Sequence, residues 1–246
     1  MLSVIIIAKN EARHIVSCLD SVTWADEIIV LDSGSTDETV SLCKKYTPYV
    51  YETDWPGFGP QKQRALEKAQ GEWILSIDAD EIITHDLKKE IKQAIKSTRF
   101  AGYQVPRLSK FCGKEIQHSG WWPDYTIRLF RKNSANFSLV PVHEKVNVEG
   151  AVGKLKNPIL HDTYETLDEA IYKMNRYSTL GAKMLCDAGI KSSLGKALIR
   201  ACWTFIRTYL IKAGFLDGKY GLMLAILNAE GTFYKYIKLL EFQNEQ

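Results

Sequence analysis

The strongest constraint on the fold is a series of short apolar runs in the first hundred residues, each followed by a mixed polar and apolar stretch. The runs are Val4–Ala8, Glu27–Leu31, the weaker Tyr49–Tyr51 and Trp73–Ile77. The stretches that follow them are Glu11–Val22, Ser35–Tyr46, Gln61–Ala69 and Asp86–Ser97. The runs lack the period-two alternation of a half-buried strand, so both of their faces are expected to be covered. Strands of this kind, separated by helices, predict a doubly wound α/β arrangement with a parallel sheet.

The pattern changes after about residue 100. Gly102–Lys114 and Thr126–Val148 read as several short strands broken by Gly, Asn and Pro, so the sheet is expected to become mixed. From Leu167 the chain reads as helical to its end. The predicted organisation is a domain of residues 1–165 and a helical region of residues 166–246. The five cysteines are an odd number, scattered and without a CxxC pair, which argues against a disulfide framework and a structural zinc site. The first residues lack a basic n-region and read as a strand rather than a signal peptide. These features suit a cytoplasmic setting. The longest uncharged apolar run of the C-terminal region, Tyr220–Ala229, is far below the ~18 residues of a spanning helix. A net charge of +3 does not by itself suggest nucleic acid.

In an open parallel sheet, ligands bind beyond the carboxyl ends of the strands. Here the first strand leads into Lys9-Asn10-Glu11, the second into Asp32-Ser-Gly-Ser-Thr-Asp37, and the fourth into Asp78-Ala79-Asp80-Glu81. Carboxylates from three strands thus gather at one edge. Some have local uses: Ser35 and Glu38 fit a capping box, and Asp86 fits as the cap of the helix it begins. The remainder would repel one another unless a cation neutralised them. An oxygen-ligated divalent ion, Mg²⁺ or Mn²⁺, is the expected neutraliser.

The segments "SVIIIAKNE", "VLDSGSTDET", "GFGPQKQRALEKAQGEWILSIDADE" and "RLFRK…VHEKV" together resemble a family 2 glycosyltransferase of the GT-A fold. The resemblance spans roughly residues 2–165, and within the family it is strongest to bacterial lipopolysaccharide-core glucosyltransferases. It implies a central mixed, mostly parallel sheet flanked by helices, with a helical C-terminal extension. It also implies a metal-dependent, inverting transfer of a hexose, glucose by the likeness, from a UDP-sugar to a lipid-linked glycan. Asp78 and Asp80 match the Asp-x-Asp motif that holds a divalent metal on the donor diphosphate. Asp32 matches the carboxylate that contacts uracil. Ala8, Asn10 and Glu11 fall at the first nucleotide-binding loop, and Lys62 falls where relatives carry a basic residue near base and phosphate. The usual Arg-Asn pair is Lys62-Gln63 here, which leaves the base preference open.

An inverting displacement needs one general base. Glu144, in "VPVHEKV", occupies the family's place for it, and Asp124 is the alternative. Trp121 and Trp122 offer ring faces to an acceptor sugar or serve the core. Of Arg128 and Arg131, one suits an acceptor or donor phosphate, with Arg128 the candidate, and the other a surface charge. His161 lies where some GT-A enzymes place a further metal ligand.

Lys191–Lys219 holds six basic residues and one acidic, Asp217. On a helix at about 100° per residue, Lys196, Arg200 and Arg207 share one face beside Trp203, opposite Leu198, Cys202, Phe205 and Tyr209. This suits the inner leaflet of a membrane, or a helix packing its apolar side on the catalytic domain. The competing functions are a protein-modifying glycosyltransferase, a sugar-phosphate nucleotidyltransferase and a non-catalytic glycan- or membrane-binding protein. The nucleotidyltransferase lacks support because Lys9-Asn10-Glu11 is not a Gly-rich phosphate loop.

Overall fold

A computed structural model describes residues 1–138 and 145–244, with the backbone alone for Asn244. In chain order, its elements begin with β1 (Leu2–Ala8), α1 (Ile15–Val22), β2 (Glu27–Asp32), α2 (Thr39–Cys43), β3 (Val50–Glu52) and α3 (Phe58–Lys68). Next come β4 (Trp73–Asp78), β5 (Glu81–Ile83), α4 (His85–Ala94), β6 (Gly102–Phe111), β7 (Lys114–Glu115) and β8 (Asp124–Arg131). The chain continues through β9 (Ala135–Phe137), β10 (Val146–Val148), β11 (Val152–Lys154) and β12 (Ile159–Tyr164). It finishes with α5 (Leu167–Asp187), α6 (Leu194–Ile206) and α7 (Gly218–Asn244). It divides into two compact units, Met1–Arg107 with Asp124–His161, and Leu108–Pro123 with Asp162–Gln246.

In the first unit, β3, β2, β1 and β4 lie side by side and parallel, with Ile5 opposite Ile29 on one side and Ser76 on the other. β8 then runs antiparallel to β4, and β6 antiparallel to β8, so the sheet is mixed as expected. The unbroken apolar character of β1 follows from its place in the middle. Leu2, Val4, Ile6 and Ala8 join α1 residues Ile15, Cys18, Leu19 and Val22 and α4 residues Leu87 and Ile91 in one core layer. Ile5 and Ile7 join Ala65 and Leu66 of α3, with Phe130 and Phe137, in the other. Burying each such side chain contributes roughly 1.5–3 kcal/mol. Neither face of the strand can therefore take a polar residue cheaply, except where a partner is built in. Ser3 is that exception: its hydroxyl donates to Glu27 at 2.5 Å and accepts from the Gly71 amide at 2.8 Å.

Three helix starts differ from the expectations. Ser35 does not cap α2: its hydroxyl donates to Asp32 instead, and the helix begins only at Thr39. α1 begins at Ile15 rather than near Glu11, because Asn10 is left-handed at φ 57° and the Glu11 carbonyl accepts first from His14 and Ile15. Thr84, not Asp86, caps α4, accepting from the Leu87 amide at 3.2 Å.

The second unit is built on α5, α6 and α7, with Phe111, Ile116, Ala170, Leu224 and Leu227 at its core. Asp217 is buried and accepts from the amides of Gln117 and His118 and from the Ser119 hydroxyl, which ties the 117–119 loop to the start of α7. Among the described residues no helix is long and apolar enough to cross a membrane.

Candidate active site

The carboxyl ends of β1, β2 and β4 converge as the sequence suggests. The first two meet through a woven pair of loops. The Asn10 amide donates to Ser35 at 2.8 Å, while the Asn10 side-chain oxygen accepts from the Thr36 amide at 2.8 Å. The Glu11 amide donates to the Thr39 hydroxyl at 2.8 Å. The Ala8 carbonyl accepts from the Ser33 amide at 2.9 Å. Asp32 is buried and accepts from the amides of Gly34 and Ser35 as well as the Ser35 hydroxyl. Its carboxylate thus shapes the turn after β2, a local role that the linear pattern did not reveal. Gly34, at φ 82°, takes the backbone conformation the turn requires at the lowest steric cost.

Beyond β4 lies a chain of alternating charges. Lys62 Nζ is 2.8 Å from Asp78 Oδ1. Arg128 Nη2 donates to Asp78 Oδ2 at 2.7 Å and to Glu81 Oε1 at 2.5 Å. Arg107 lies 3.9 Å from Glu81 and donates to Asp124 at 2.6 Å. The Asp78 amide also donates to Glu81 at 2.9 Å. Arg128 and Glu81 are 6% and 0% exposed, while Asp78, Arg107 and Asp124 are partly open to solvent. The network lines a cavity of about 620 Å³ together with Ser76, Gln104, Tyr125, Thr126 and Lys145. The hydroxyl oxygens of Ser76 and Thr126 are buried with no hydrogen-bond partner in the structure.

Burial works to raise the Asp78 carboxyl, but the Arg128 guanidinium and the Lys62 ammonium outweigh it and hold the group well below the usual carboxylate range. Glu81 is shifted the other way, raised by burial and by the Asp78 charge against the opposing pull of Arg128.

These contacts bear on two of the residues named from the sequence. Asp78 and Glu81, at and just after the end of β4, have protein counterions in Lys62 and Arg128. Both oxygens of Asp78 are engaged, Oδ1 by Lys62 and Oδ2 by Arg128. Arg128 is the counterion of Asp78 and Glu81 and also lines the cavity. Arg131 bonds Glu72 and stacks over Trp73, 4.6 Å from the ring centroid.

A divalent metal is implied by the resemblance, and Asp80 with His161 fits one. Asp80 Oδ2 lies 3.2 Å from His161 Nε2, close to the ~3 Å that separates adjacent ligands on a cation with bonds of about 2.1 Å. The pairing β12–β5, with His161 opposite Glu81, brings them together. One carboxylate and one imidazole suit Mn²⁺, with the remaining positions open to phosphate oxygens and water. Among the described residues, no cluster of three or more His, Cys, Asp or Glu side chains could hold an ion without such help.

Of the two candidate bases, Asp124 is held by Arg107, while Glu144 lies outside the described residues. Trp121 belongs to the second unit, where it packs against Phe111 and Tyr164 at centroid distances of 6.3 and 6.0 Å; Trp122 is half-buried beside it. Ring stacking in the core is the role the structure gives Trp121. Sequence reasoning missed Glu81 and Arg107. Glu81 stood in plain view beside Asp80, and a carboxylate directly following a buried strand was the available signal.

The profile of glycosyl transferase family 2 matches residues 3–149, and the chain belongs to that family. It is a glycosyltransferase. It is 30% identical to the lipopolysaccharide core biosynthesis glycosyltransferase LpsC of Rhizobium meliloti (strain 1021), over 96% of this chain and 93% of that one. It is also 30% identical to an uncharacterized glycosyltransferase of Rickettsia typhi, over 98% of this chain and 87% of that one. Among solved structures it is similar to S. aureus TarS 1–349 in complex with UDP-GlcNAc, with TM-score 0.51, 17% identity, and coverage of 100% of this chain and 92% of that one. At that identity the likeness speaks for the fold, which is GT-A.

Proposed function

We propose that the protein transfers glucose from UDP-glucose to a lipid-linked glycan of the lipopolysaccharide inner-core kind, with inversion, at the inner face of the cytoplasmic membrane. Residues 1–165 form the catalytic domain in this reading, and residues 166–246 the membrane-facing extension. The observation that carries it is the Asp80–His161 pair at the carboxyl edge of a family 2 sheet. The kinship with LpsC along nearly the whole chain supports the acceptor class.

The donor lies across the loops after β1 and β2, with Ala8, Asn10, Glu11 and Asp32 around the base and Lys62 toward the phosphates. Asp78 acts through Lys62 and Arg128, fixing where those cations stand. Asp80 and His161 hold Mn²⁺ or Mg²⁺, which when bound supplies Lewis-acid stabilisation of the departing diphosphate. The acceptor hydroxyl oxygen attacks the anomeric carbon as the bond from that carbon to the diphosphate oxygen breaks. The hydroxyl proton passes to a carboxylate and the nucleoside diphosphate leaves. Glu144 is that base in our reading, since Asp124 is already bound by Arg107.

Calorimetric titration with UDP, UDP-glucose and GDP, each with and without Mn²⁺, tests the donor and metal together. Metal-dependent binding of the uridine compounds alone is expected, and GDP binding or metal-independent UDP binding would contradict it. Mn²⁺ paramagnetic resonance should show weakened ion binding in both Asp80→Ala and His161→Ala. Glu144→Gln should keep UDP affinity while turnover falls about 10²–10⁴-fold. The same effect in Asp124→Asn alone would reassign the base.

A further inference from the structure

The helical unit carries an inverted helix. α6 turns its small residues inward: Ala197 and Thr208, the latter in the turn that follows it, are buried, and the Thr204 hydroxyl lies 3.1 Å from that of Thr232 on α7. Its bulky residues face outward. On α6, Ile199 is 71% and Trp203 53% exposed, with Leu198 exposed too, and in the segment after it Leu210, Ile211 and Leu216 are exposed. The apolar side read from the sequence is exposed at Leu198 and Cys202 and half-buried at Phe205 and Tyr209. Singly exposed apolar residues need no explanation, but Leu198, Ile199, Trp203, Leu210, Ile211 and Leu216 together make a ridge that suits an interaction surface.

Two further observations identify the occupant. From Ala188 to Leu216 the chain has no acidic residue, while Lys191, Lys196, Arg200, Arg207 and Lys212 all lie within it. Asp217, which follows, is buried in its bonds to the 117–119 loop and does not offset them. Beside the ridge, a five-residue π turn, Arg207–Ile211, opens a cavity of about 390 Å³. Arg207, Lys212 and Thr208 line it, beside Thr204, Thr232 and Ser119, whose hydroxyls donate to the Arg200 carbonyl, the Asn228 carbonyl and Asp217.

We propose that this face docks on an anionic phospholipid bilayer, with the ridge entering the headgroup and acyl boundary and the cavity receiving a lipid phosphate. Aliphatic and aromatic side chains beside clustered cations are what an interfacial helix requires. The Arg207 guanidinium and the Lys212 ammonium, lining one cavity, suit a phosphate oxygen. A second copy of this chain fits less well, because it would set two rows of like charge against each other. The proposal rests on the reading of the protein as a membrane-side glycosyltransferase only for its purpose; the assay needs no sugar transfer.

Flotation of the full-length protein with vesicles tests it. Binding is expected with phosphatidylcholine containing roughly one part in three phosphatidylglycerol, and not with phosphatidylcholine alone. Arg207→Gln with Lys212→Gln should weaken partitioning about 30-fold, from about 1 kcal/mol for each cation lost near an anionic surface. Ile211→Ser with Leu216→Ser, both at exposed positions, should weaken it while the circular dichroism spectrum and UDP binding stay unchanged. Inorganic phosphate should compete better than chloride at equal ionic strength. Equal binding to both vesicle types, no binding to either, or phosphate acting no better than chloride would overturn the proposal. So would a loss of dimer in the Ile211→Ser, Leu216→Ser variant, which would assign the ridge to a second copy. Intact vesicle binding with no UDP binding would leave the lipid surface standing and remove the donor assignment.

Discussion

Replacing Arg128 by Met is the sharpest test of the charge chain behind the active-site cavity. Arg128 is buried, with one guanidinium nitrogen bonded to both Asp78 and Glu81. Removing one partner from a buried ion pair costs about 3–5 kcal/mol, because the charges left behind are uncompensated. Lys62 still faces Asp78, and Arg107 stands near Glu81, so the lower end of that range is expected. At a urea dependence of about 2–3 kcal/mol per molar, a loss of about 3 kcal/mol lowers the unfolding midpoint by about 1–1.5 M at pH 7. The pH dependence adds a signature. In the native protein the depressed Asp78 carboxyl contributes stability above about pH 4, and this is lost as the pH falls through its folded value. Glu81 is raised, so its contribution is present at acid pH and is lost as the pH rises through its folded value. Without Arg128 both carboxyls rise, and the deficit should shrink as the pH is lowered from 7 toward about 5. Glu81→Gln added to the variant should recover part of the loss at pH 7. A loss below about 1 kcal/mol, or a deficit independent of pH, would refute the counterion role of Arg128.

Other consequences are equally direct. Thr84→Ala should cost about 1 kcal/mol by removing the α4 cap, and Asp86→Ala only a few tenths, measured by urea unfolding. Gly71→Ala should cost about 1–3 kcal/mol and lower Tm by several degrees, since the added methyl would sit 2.6 Å from the Ser3 hydroxyl and 2.7 Å from its amide. Among the cysteines, burial lifts the Cys18 thiol well above its usual value and pushes Cys43 up to about 11. Alkylation of the native protein at pH 8, read by peptide mass spectrometry, should therefore label exposed Cys202 long before either of them.

What could be read from the sequence, and what could not, follows from the range of each interaction. Strand β1 announces itself because its burial depends on neighbours along its own length, so the run Val4–Ala8 carries the information locally. The convergence of Asp32, Asp78 and Asp80 at one edge follows from the strand order, which the alternation of elements implies. The start of α2 was missed because Ser35 had two local partners to choose from, and Asp32, three residues back, won over the helix. The partner of a buried charge is harder still. Arg128 and Asp78 are 50 residues apart, and Asp80 and His161 are 81 apart. Nothing in the motif Asp-Ala-Asp says that its first carboxylate faces Arg128 and its second His161. A continuous strand would put residues two apart on the same face, so the division comes from the turn that interrupts the strand. Asp78 and Asp80 are two residues apart but straddle the break between β4 and β5, which frees them from a shared face. An Asp-x-Asp after a buried strand is therefore better read as two sites than as one. The first carboxylate pairs with cations of the cavity, and the second faces a histidine supplied from β12.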